Sequence, residues 1–418
     1  YRLAQEIVLG IGGTRLLAAM GLPVEKYHLN EGHAAFLALE LLRDRLQQQQ
    51  AGGAAVEAVI EAVRELCVFT THTPVPAGHD QFDYGLAEPM LGPLVPSGLL
   101  RSLAGAERLN MTQLALSLSG WVNGVAKRHA EVSRSMFPGY VVNAITNGVH
   151  PWTWTSDAHR VLYDRHVPHW CHEPELLIHA SARISLEEID RAHAQAKEQL
   201  LSRATRLTGA ATLRADRLTV GFARRMTGYK RPLLLFSDLA RLRTIAREHP
   251  LQIVMAGKAH PQDGEGKHHI AQLHALAREL APDIPVVFVP DYGMDAARCI
   301  VAGVDVWLNT PQRPMEASGT SGMKAALNGV PNLSVLDGWW LEGWEEGITG
   351  WAVGPDGSPD SAIDAESLYD KLGRVVAPMF YQRRDQWLHL AREAIARNGS
   401  QFNSHRMLRR YVIEAYSR

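Results

Sequence analysis

The feature that most constrains this chain is an alternation. Between Cys67 and Leu336, short apolar runs are separated by longer segments of helical period. A strand covered on both faces reads as a continuous apolar run, and the crossover to a parallel neighbour needs a helix-sized connection. The pattern therefore predicts βαβ units around a mainly parallel sheet. It is clearest at Leu218 to Phe222, Gln252 to Ala256, Pro285 to Val289, Val304 to Asn309 and Asn332 to Leu336, read as buried strands. Helical patterns at Arg231 to His249, His268 to Leu280, Met294 to Ala302 and Ser321 to Asn328 fall between them. Together they predict one complete, open, doubly wound Rossmann-like domain.

The first half predicts part of a second α/β domain. Helices are expected at Ala34 to Leu46 and Val56 to Leu66, a Gln- and Gly-rich loop at 47–53, and a strand at Cys67 to Thr71. Asn147-Gly148, Pro151 and Trp152 form a turn cluster, so the domains are expected at 1–151 and 152–418, the second including the terminal helices. Ser185 to Leu201 reads as a charged helix bridging them, and the tail from Glu366 as three helical patterns without strands. The opening Tyr1 to Leu9 reads as the middle of an amphipathic helix without an N-cap, which suggests a piece of a longer protein.

Composition removes several function classes. Lys and Arg number 43 against 44 Asp and Glu, a net charge of -1, so no overall field draws the chain to nucleic acid or an acidic membrane. Any anion site must be local. The three cysteines, Cys67, Cys171 and Cys299, suit neither a disulfide framework nor a zinc site, which points to a cytoplasmic protein. No apolar stretch approaches the roughly eighteen residues of a membrane span. His260, His268 and His269 are followed by no carboxylate or thiol at ligand spacing and read as solvated surface; no metal is expected.

Two segments carry most of the chemistry. Glu316-Ala-Ser-Gly-Thr-Ser-Gly-Met-Lys324 follows a predicted strand and opens a helix. Small residues there admit a ligand close to the backbone, and unpaired N–H groups suit an anion, although a tight junction alone also looks like this. Lys324 lies one turn in, placed to form a Schiff base with a carbonyl cofactor or simply to add charge. Arg224-Arg225-Met-Thr-Gly-Tyr-Lys230-Arg231 follows the strand ending at Phe222. Ligands bind at the carboxyl ends of such strands, so these four cations form either a phosphate clamp or a solvated basic loop. In the first half, His72 at a strand end and His33 before a helix are candidates to bond a sugar hydroxyl.

The ordered set of segments resembles the glycogen and α-glucan phosphorylases, in particular a shorter bacterial branch. It comprises Asn30-Glu-Gly-His33, Thr71-His-Thr73, Asn123-Gly-Val-Ala126, Thr146-Asn-Gly148, Arg224-Arg225 with Tyr229-Lys230-Arg231, Ala256-Gly-Lys258, Asp291-Tyr292 and Glu316-Ala-Ser-Gly-Thr320. The resemblance implies an α/β protein of two facing Rossmann-like domains of the GT-B type, the first incomplete. It implies a hexosyltransferase that cleaves terminal α-1,4-linked glucose from glycogen, starch or maltodextrin with inorganic phosphate, retaining configuration, to give α-glucose 1-phosphate. Lys324 matches the lysine that carries pyridoxal 5'-phosphate as an imine. Arg224, Thr320 and Ser321 match contacts to the cofactor phosphate, and Tyr292 a contact to the pyridoxal. Arg225 and Lys230 match the residues holding substrate phosphate, whereas His72, Asn147, Tyr229, Glu316, Ser318 and Gly319 match those around the sugar, with the His72 carbonyl near the reacting carbon.

Thr227-Gly228 and Ser321-Gly322 depart from the animal-type pattern but leave the cations and the lysine in place. The family's upstream glycine-rich phosphate loop is not found before Asn30. A homodimer is the family expectation. A nucleotide-sugar glycosyltransferase and a non-catalytic glucan-binding protein share the expected fold. The first has no need of an imine-forming lysine, and the second has no reason to keep the cations.

Overall fold

A computed structural model describes residues 1–49, 55–75, 78–209, 212–357 and 359–417. Of the expected loop at 47–53, residues 47–49 complete a helix and 50–53 lie outside the described residues. The chain divides into two compact units, Tyr1–Thr146 with Leu408–Arg418, and Asn147–Met407.

In the first unit, four parallel strands, β1 (Tyr27–Asn30), β2 (Cys67–Thr70), β3 (Trp121–Gly124) and β4 (Asn143–Ala144), lie in the order β1-β2-β3-β4. Helix α1 (Phe36–Gln49) brings Phe36, Leu39 and Leu42 into a core with Leu29 and Phe69, all fully buried. Helix α2 (Val56–Arg64) adds Val59 and Val63. The expected helix start at Ala34 is a 3₁₀ turn, Gly32–Ala34, instead. A Cβ at Gly32 would lie 3.1 Å from the Met111 backbone, so the turn is set by a close approach.

The terminal segment Leu408–Arg418 groups with this first unit, not with the domain the turn cluster assigned it to. The reason is local. The Tyr411 hydroxyl accepts from Asn123 Nδ2 at 3.0 Å and lies 3.2 Å from Thr70 Oγ1, joining two strand ends of β2 and β3.

The second unit has six parallel strands: β5 (Leu218–Ala223), β6 (Leu251–Ala256), β7 (Val286–Val289), β8 (Val306–Asn309), β9 (Asn332–Val335) and β10 (Gly350–Val353). Every residue of β5, β6, β8, β9 and β10 is buried, as expected of strands covered on both faces. The spatial order is β10-β9-β8-β5-β6-β7. The chain thus builds outward from β5 to β7, then returns to β8 and builds the other way. The direction reverses between β5 and β8, the place where an open α/β sheet leaves a crevice at its carboxyl edge.

Five of these strands match the apolar runs; β10 has only Trp351, Ala352 and Val353 after Gly350 and was not anticipated. The predicted helix over Arg231 to His249 begins only at Leu239; a 3₁₀ turn at Leu234–Phe236 takes up its first part, and another at Gly228–Lys230 precedes it. Pro232 follows Arg231, whose φ is 46°, and Asp238 caps the true helix by accepting from Arg241 N at 2.9 Å.

Helices α3 (Leu186–Thr208), α4 (Leu239–Glu248), α5 (Gly264–Leu280), α6 (Met294–Gly303) and α7 (Thr320–Ala326) belong to this sheet. A buried ion cluster ties α3 to its amino edge. Asp305 accepts from Thr219 N at 2.7 Å and Lys197 Nζ at 2.6 Å, and His193 Nε2 lies 2.9 Å away. Lys197 also donates to Arg217 O at 2.7 Å. Burial alone would raise Asp305, but Lys197 and His193 hold its carboxyl down at about 2. Among the described residues, no helix is long and apolar enough to cross a membrane.

Candidate active site

The crevice at the β5/β8 reversal is where the two sequence segments meet. Arg224 leaves the end of β5 and is buried. Its Nη2 donates to Asn309 Oδ1 at the end of β8, and lies 3.4 Å from Ser321 Oγ; its Nη1 donates to Glu316 Oε2 at 3.3 Å. Lys230, also buried, donates Nζ to the same carboxylate oxygen. One buried carboxylate therefore faces two buried cations. Burial alone would raise Glu316, yet Lys230 and Arg224 hold it below its ordinary value. Burial, with Arg224 beside it, brings the Lys230 ammonium down to about 8 despite Glu316.

Arg225 is exposed and, among the described residues, has no carboxylate at ion-pair distance. Three cations face Glu316 and one further buried carboxyl, Asp337, whose pKa is raised to about 7, so the cluster stays positive. Arg224 Nε and Ser318 Oγ are buried with no hydrogen-bond partner among the described residues, so donor capacity remains. Such a surplus suits a phosphate or a phosphate ester.

The loop between β8 and α7 is fixed by contacts the sequence did not flag. Asp337, at the end of β9, accepts from Glu316 N and Gly338 N, both at 2.9 Å. Burial raises its carboxyl to about 7. Trp339 N donates to Ser318 O at 2.9 Å, and Trp307 Nε1 donates to Ser321 Oγ at 3.1 Å. Gly319 has φ 82°, and at Gly322 a Cβ would lie 2.3 Å from Asn332 Oδ1. Gly319 and Gly322 are thus required by the turn and by its packing. A ligand is not needed to explain them.

Lys324 projects from α7. Its Nζ lies 3.7 Å from the centre of the Trp154 ring and, among the described residues, meets no carboxylate. Burial brings the amine down to about 8. Asn328 sets this arrangement by donating Nδ2 to both Lys324 O, at 2.9 Å, and Trp154 O, at 2.8 Å. Trp154 and Asn328, like Asn309 and Asp337, are positioning residues the sequence reading missed. The available signal for Asn309 and Asp337 was a polar residue at the carboxyl end of an apolar strand; Trp154 and Asn328 gave none.

Tyr292 donates its hydroxyl to Ala223 O at 3.3 Å, and its neighbour Asp291 has φ 53°. The Tyr229 ring lies 4.7 Å from Lys230 Nζ. Asn147 accepts from Arg406 Nη2 through its carbonyl at 3.0 Å, and Gly148 is held so close to Asn403 that a Cβ would lie 2.0 Å from its carbonyl oxygen. Arg231 is the exception among the four cations. Its Nε donates to Thr310 O at 2.9 Å and its Nη2 to Pro311 O at 2.8 Å and Asp364 Oδ2 at 2.6 Å. It is a fastener of the β8 exit, so Arg231 drops out of the four cations expected either to clamp a phosphate or to form a solvated loop.

In the first unit, His72 Nε2 lies against Asn30 Oδ1 and its backbone N–H donates to Glu31 Oε1. Burial lowers its imidazole pKa. His33 Nδ1 instead lies 3.1 Å from Asp80 Oδ2 and 2.7 Å from Arg2 Nη2, in an ion cluster with buried Glu6. The guanidinium of Arg2 supplies the cation there.

The model of the carbohydrate phosphorylase family matches residues 100–347. Maltodextrin phosphorylase of Thermococcus litoralis is 38% identical, with 100% of this chain and 54% of that protein covered. Glycogen phosphorylase of Aquifex aeolicus is 37% identical, with 100% and 66% covered, and that of Mycobacterium tuberculosis 36% identical, with 100% and 54% covered. The chain spans between about half and two-thirds of the length of these relatives. With a family match over more than half of its residues, and over the whole cationic crevice, the chain belongs to the carbohydrate phosphorylases.

Proposed function

We propose that the protein is an α-glucan phosphorylase, transferring terminal α-1,4-linked glucose from glycogen, starch or maltodextrin to inorganic phosphate with retention and releasing α-glucose 1-phosphate. The observation that carries this is one amine. Lys324 is partly buried, has no carboxylate partner among the described residues, and has a pKa brought down to about 8, so a useful fraction is neutral near pH 7 to 8. A neutral, desolvated amine is what a carbonyl cofactor requires. A lysine serving only as surface charge would gain from neither property.

The residues fit pyridoxal 5'-phosphate. Lys324 would hold its aldehyde carbon, Arg224, Thr320 and Ser321 its phosphate, and Tyr292 its ring. Bound there, the cofactor supplies a phosphate that exchanges a proton with the substrate phosphate. Arg225 and Lys230 would hold that substrate phosphate. The surplus of cations over Glu316 offsets the repulsion between two phosphate groups, which water alone would keep apart. Lys230 keeps its ammonium protonated below about pH 8, where it both binds phosphate and restrains Glu316. Glu316, Ser318, Gly319, Tyr229 and Asn147 are assigned to the sugar, as is His72 of the first unit, whose role rests on likeness alone. A cytoplasmic homodimer accompanies this reading on the same basis.

The test compares the protein with its Lys324→Ala variant. Borohydride reduction should fix pyridoxal phosphate to the peptide containing Lys324, and glycogen with phosphate should yield glucose 1-phosphate; both signals should vanish in the variant. A protein that traps no cofactor and transfers glucose from a nucleotide sugar sinks the proposal in favour of a synthase.

A further inference from the structure

A second region of the Asn147–Met407 unit shares no residue with the cationic crevice. Between α3 and α6 lies a cavity of ≈ 300 Å³. Helix α3 lends it Ala196, Gln199, Arg203 and Arg206, a spacing that keeps all four on one face. Helix α6 lends Asp295, Arg298, Cys299 and Ala302. The helices close at one end, where a Cβ on Gly303 would lie 2.6 Å from Ala196 O, and small residues allow the approach. At the other end the long side chains line an opening, with Ser156 and Asp157 on a third side.

The cavity gathers three cations that no acid offsets at close range: among the described residues none of Arg203, Arg206 and Arg298 has a carboxylate at ion-pair distance. Asp157 is already engaged by Arg160 at 3.1 Å, leaving Asp295 as the other acid. Arg203 Nε is buried with no hydrogen-bond partner among the described residues. Arg203 and Arg206 also stand close enough to Cys299 to pull its thiol down against the burial that pushes it up. Arg206 in the last turn of α3 suits the helix dipole. Arg298 does not, because it stands in the N-terminal half of α6, where a cation gains nothing.

We propose that this cavity binds a compact phosphorylated small molecule, gripped by Arg203, Arg206 and Arg298. Guanidinium forks match phosphoryl oxygens, three of them balance a group of two negative charges beside Asp295, and the volume falls at the small end of ligand sites. The proposal stands apart from the assignment of the crevice, because its signal is read at Cys299 alone.

The experiment alkylates the full chain with iodoacetamide and follows each cysteine by peptide mass spectrometry, using inorganic pyrophosphate as probe and potassium chloride to match ionic strength. A bound anion covers Cys299 and raises its thiol pKa, so saturating pyrophosphate should slow its alkylation about fivefold or more and leave Cys171 unchanged. The double variant Arg203→Gln, Arg298→Gln should lose the protection. Should that variant fail to fold, Arg206→Gln, which alters an exposed residue, should raise the half-protecting pyrophosphate concentration about threefold or more. The proposal is overturned if pyrophosphate gives no slowing, if slowing survives the arginine substitutions, or if succinate protects equally well.

Discussion

The six-stranded sheet carries a buried ion cluster at each edge, and the two are built differently. At the amino edge, Asp305 meets Lys197, His193 and the Thr219 N–H, and Lys197 also reaches the Arg217 carbonyl. At the carboxyl edge, Glu316 faces Arg224 and Lys230, and among the described residues Arg225 has no carboxylate at ion-pair distance and Arg224 Nε and Ser318 Oγ find no hydrogen-bond partner. In the first cluster Asp305 and Lys197 answer each other's charge and His193 Nδ1 alone lacks a partner among the described residues; the second holds more positive charge and more donors than Glu316 can use. The difference is the one expected between a fastener and the anion-binding site proposed for the carboxyl edge.

The largest effect expected from breaking the comparison is on stability. Asp305→Asn strands the Lys197 ammonium in the core and should cost about 3–5 kcal/mol in urea unfolding, the usual loss when one partner of a buried pair is removed. Glu316→Gln should cost about 1–2 kcal/mol, because Lys230, already brought down to about 8, can release its proton at little cost and the amide still accepts. Equal losses in the two variants would remove the distinction between the edges. A second contrast lies between adjacent residues. Arg231→Met should destabilise by about 2–3 kcal/mol, since its donors hold the β8 exit to Asp364. Lys230→Met should leave stability nearly intact and abolish glucose 1-phosphate release.

Much of this was legible in the residues, and the failures have physical causes. Strands β5, β6 and β8 announced themselves because a strand buried on both faces is mainly apolar, and β7 because Val286–Val289 is wholly apolar although only alternate residues are fully buried; β9 is the weakest case, with Asn332 and Ser334 inside it. Strand β10 did not, because it begins at Gly350 with φ 153° and is completed by packing of Trp351 that only the folded sheet supplies. The sequence order of the cations was visible, but their directions were not. Arg231 and Lys230 are neighbours in a basic run, and a left-handed backbone at Arg231 sends the one to the strand exit and the other to Glu316. The glycines around Lys324 suggested a ligand cradle; the structure accounts for Gly319 and Gly322 by turn conformation and by contact with Asn332 and Trp339. Trp154, which sits over the Lys324 amine, comes from a turn far away in the sequence and could be found only by folding.

The comparison also predicts opposite signs for pH. Lys230 is faced by Arg224, Arg225, Glu316, Asp337 and the Tyr229 ring, and its pKa falls from 10.5 to about 8 in the folded protein. Between those values the unfolded chain holds more protons, so unfolding stability rises with pH across that window. Anion affinity moves the other way, because the ammonium that would grip the anion is being lost. Sulfate, which does not titrate there, should bind up to about tenfold more weakly for each pH unit above 8, near 1.4 kcal/mol per unit. Asp305 at the amino edge should contribute no slope in this range, since it titrates near 2 and loses its stabilising charge only in strong acid. Sulfate affinity that stays flat from pH 7.5 to 9.5 would detach Lys230 from anion binding.

The smallest effect is the most local. Gly319 lies at φ 82°, and an added Cβ would come 3.3 Å from Glu316 Cγ and 3.4 Å from the Trp339 ring. A left-handed position costs an alanine about 1 kcal/mol from backbone strain, and the contact with Glu316 adds a displacement of the carboxylate that Arg224 and Lys230 share. Gly319→Ala should therefore lower stability by about 1 kcal/mol while weakening sulfate binding, with the loss of binding rescued in part by Glu316→Gln in the double variant. The logic is that of coupling: if the methyl acts by pushing Glu316, removing the charge of Glu316 must remove part of its effect. Strictly additive losses in the double variant would mean that Gly319 serves the turn alone, and that the loop before α7 and the cations it faces are independent parts of the carboxyl edge.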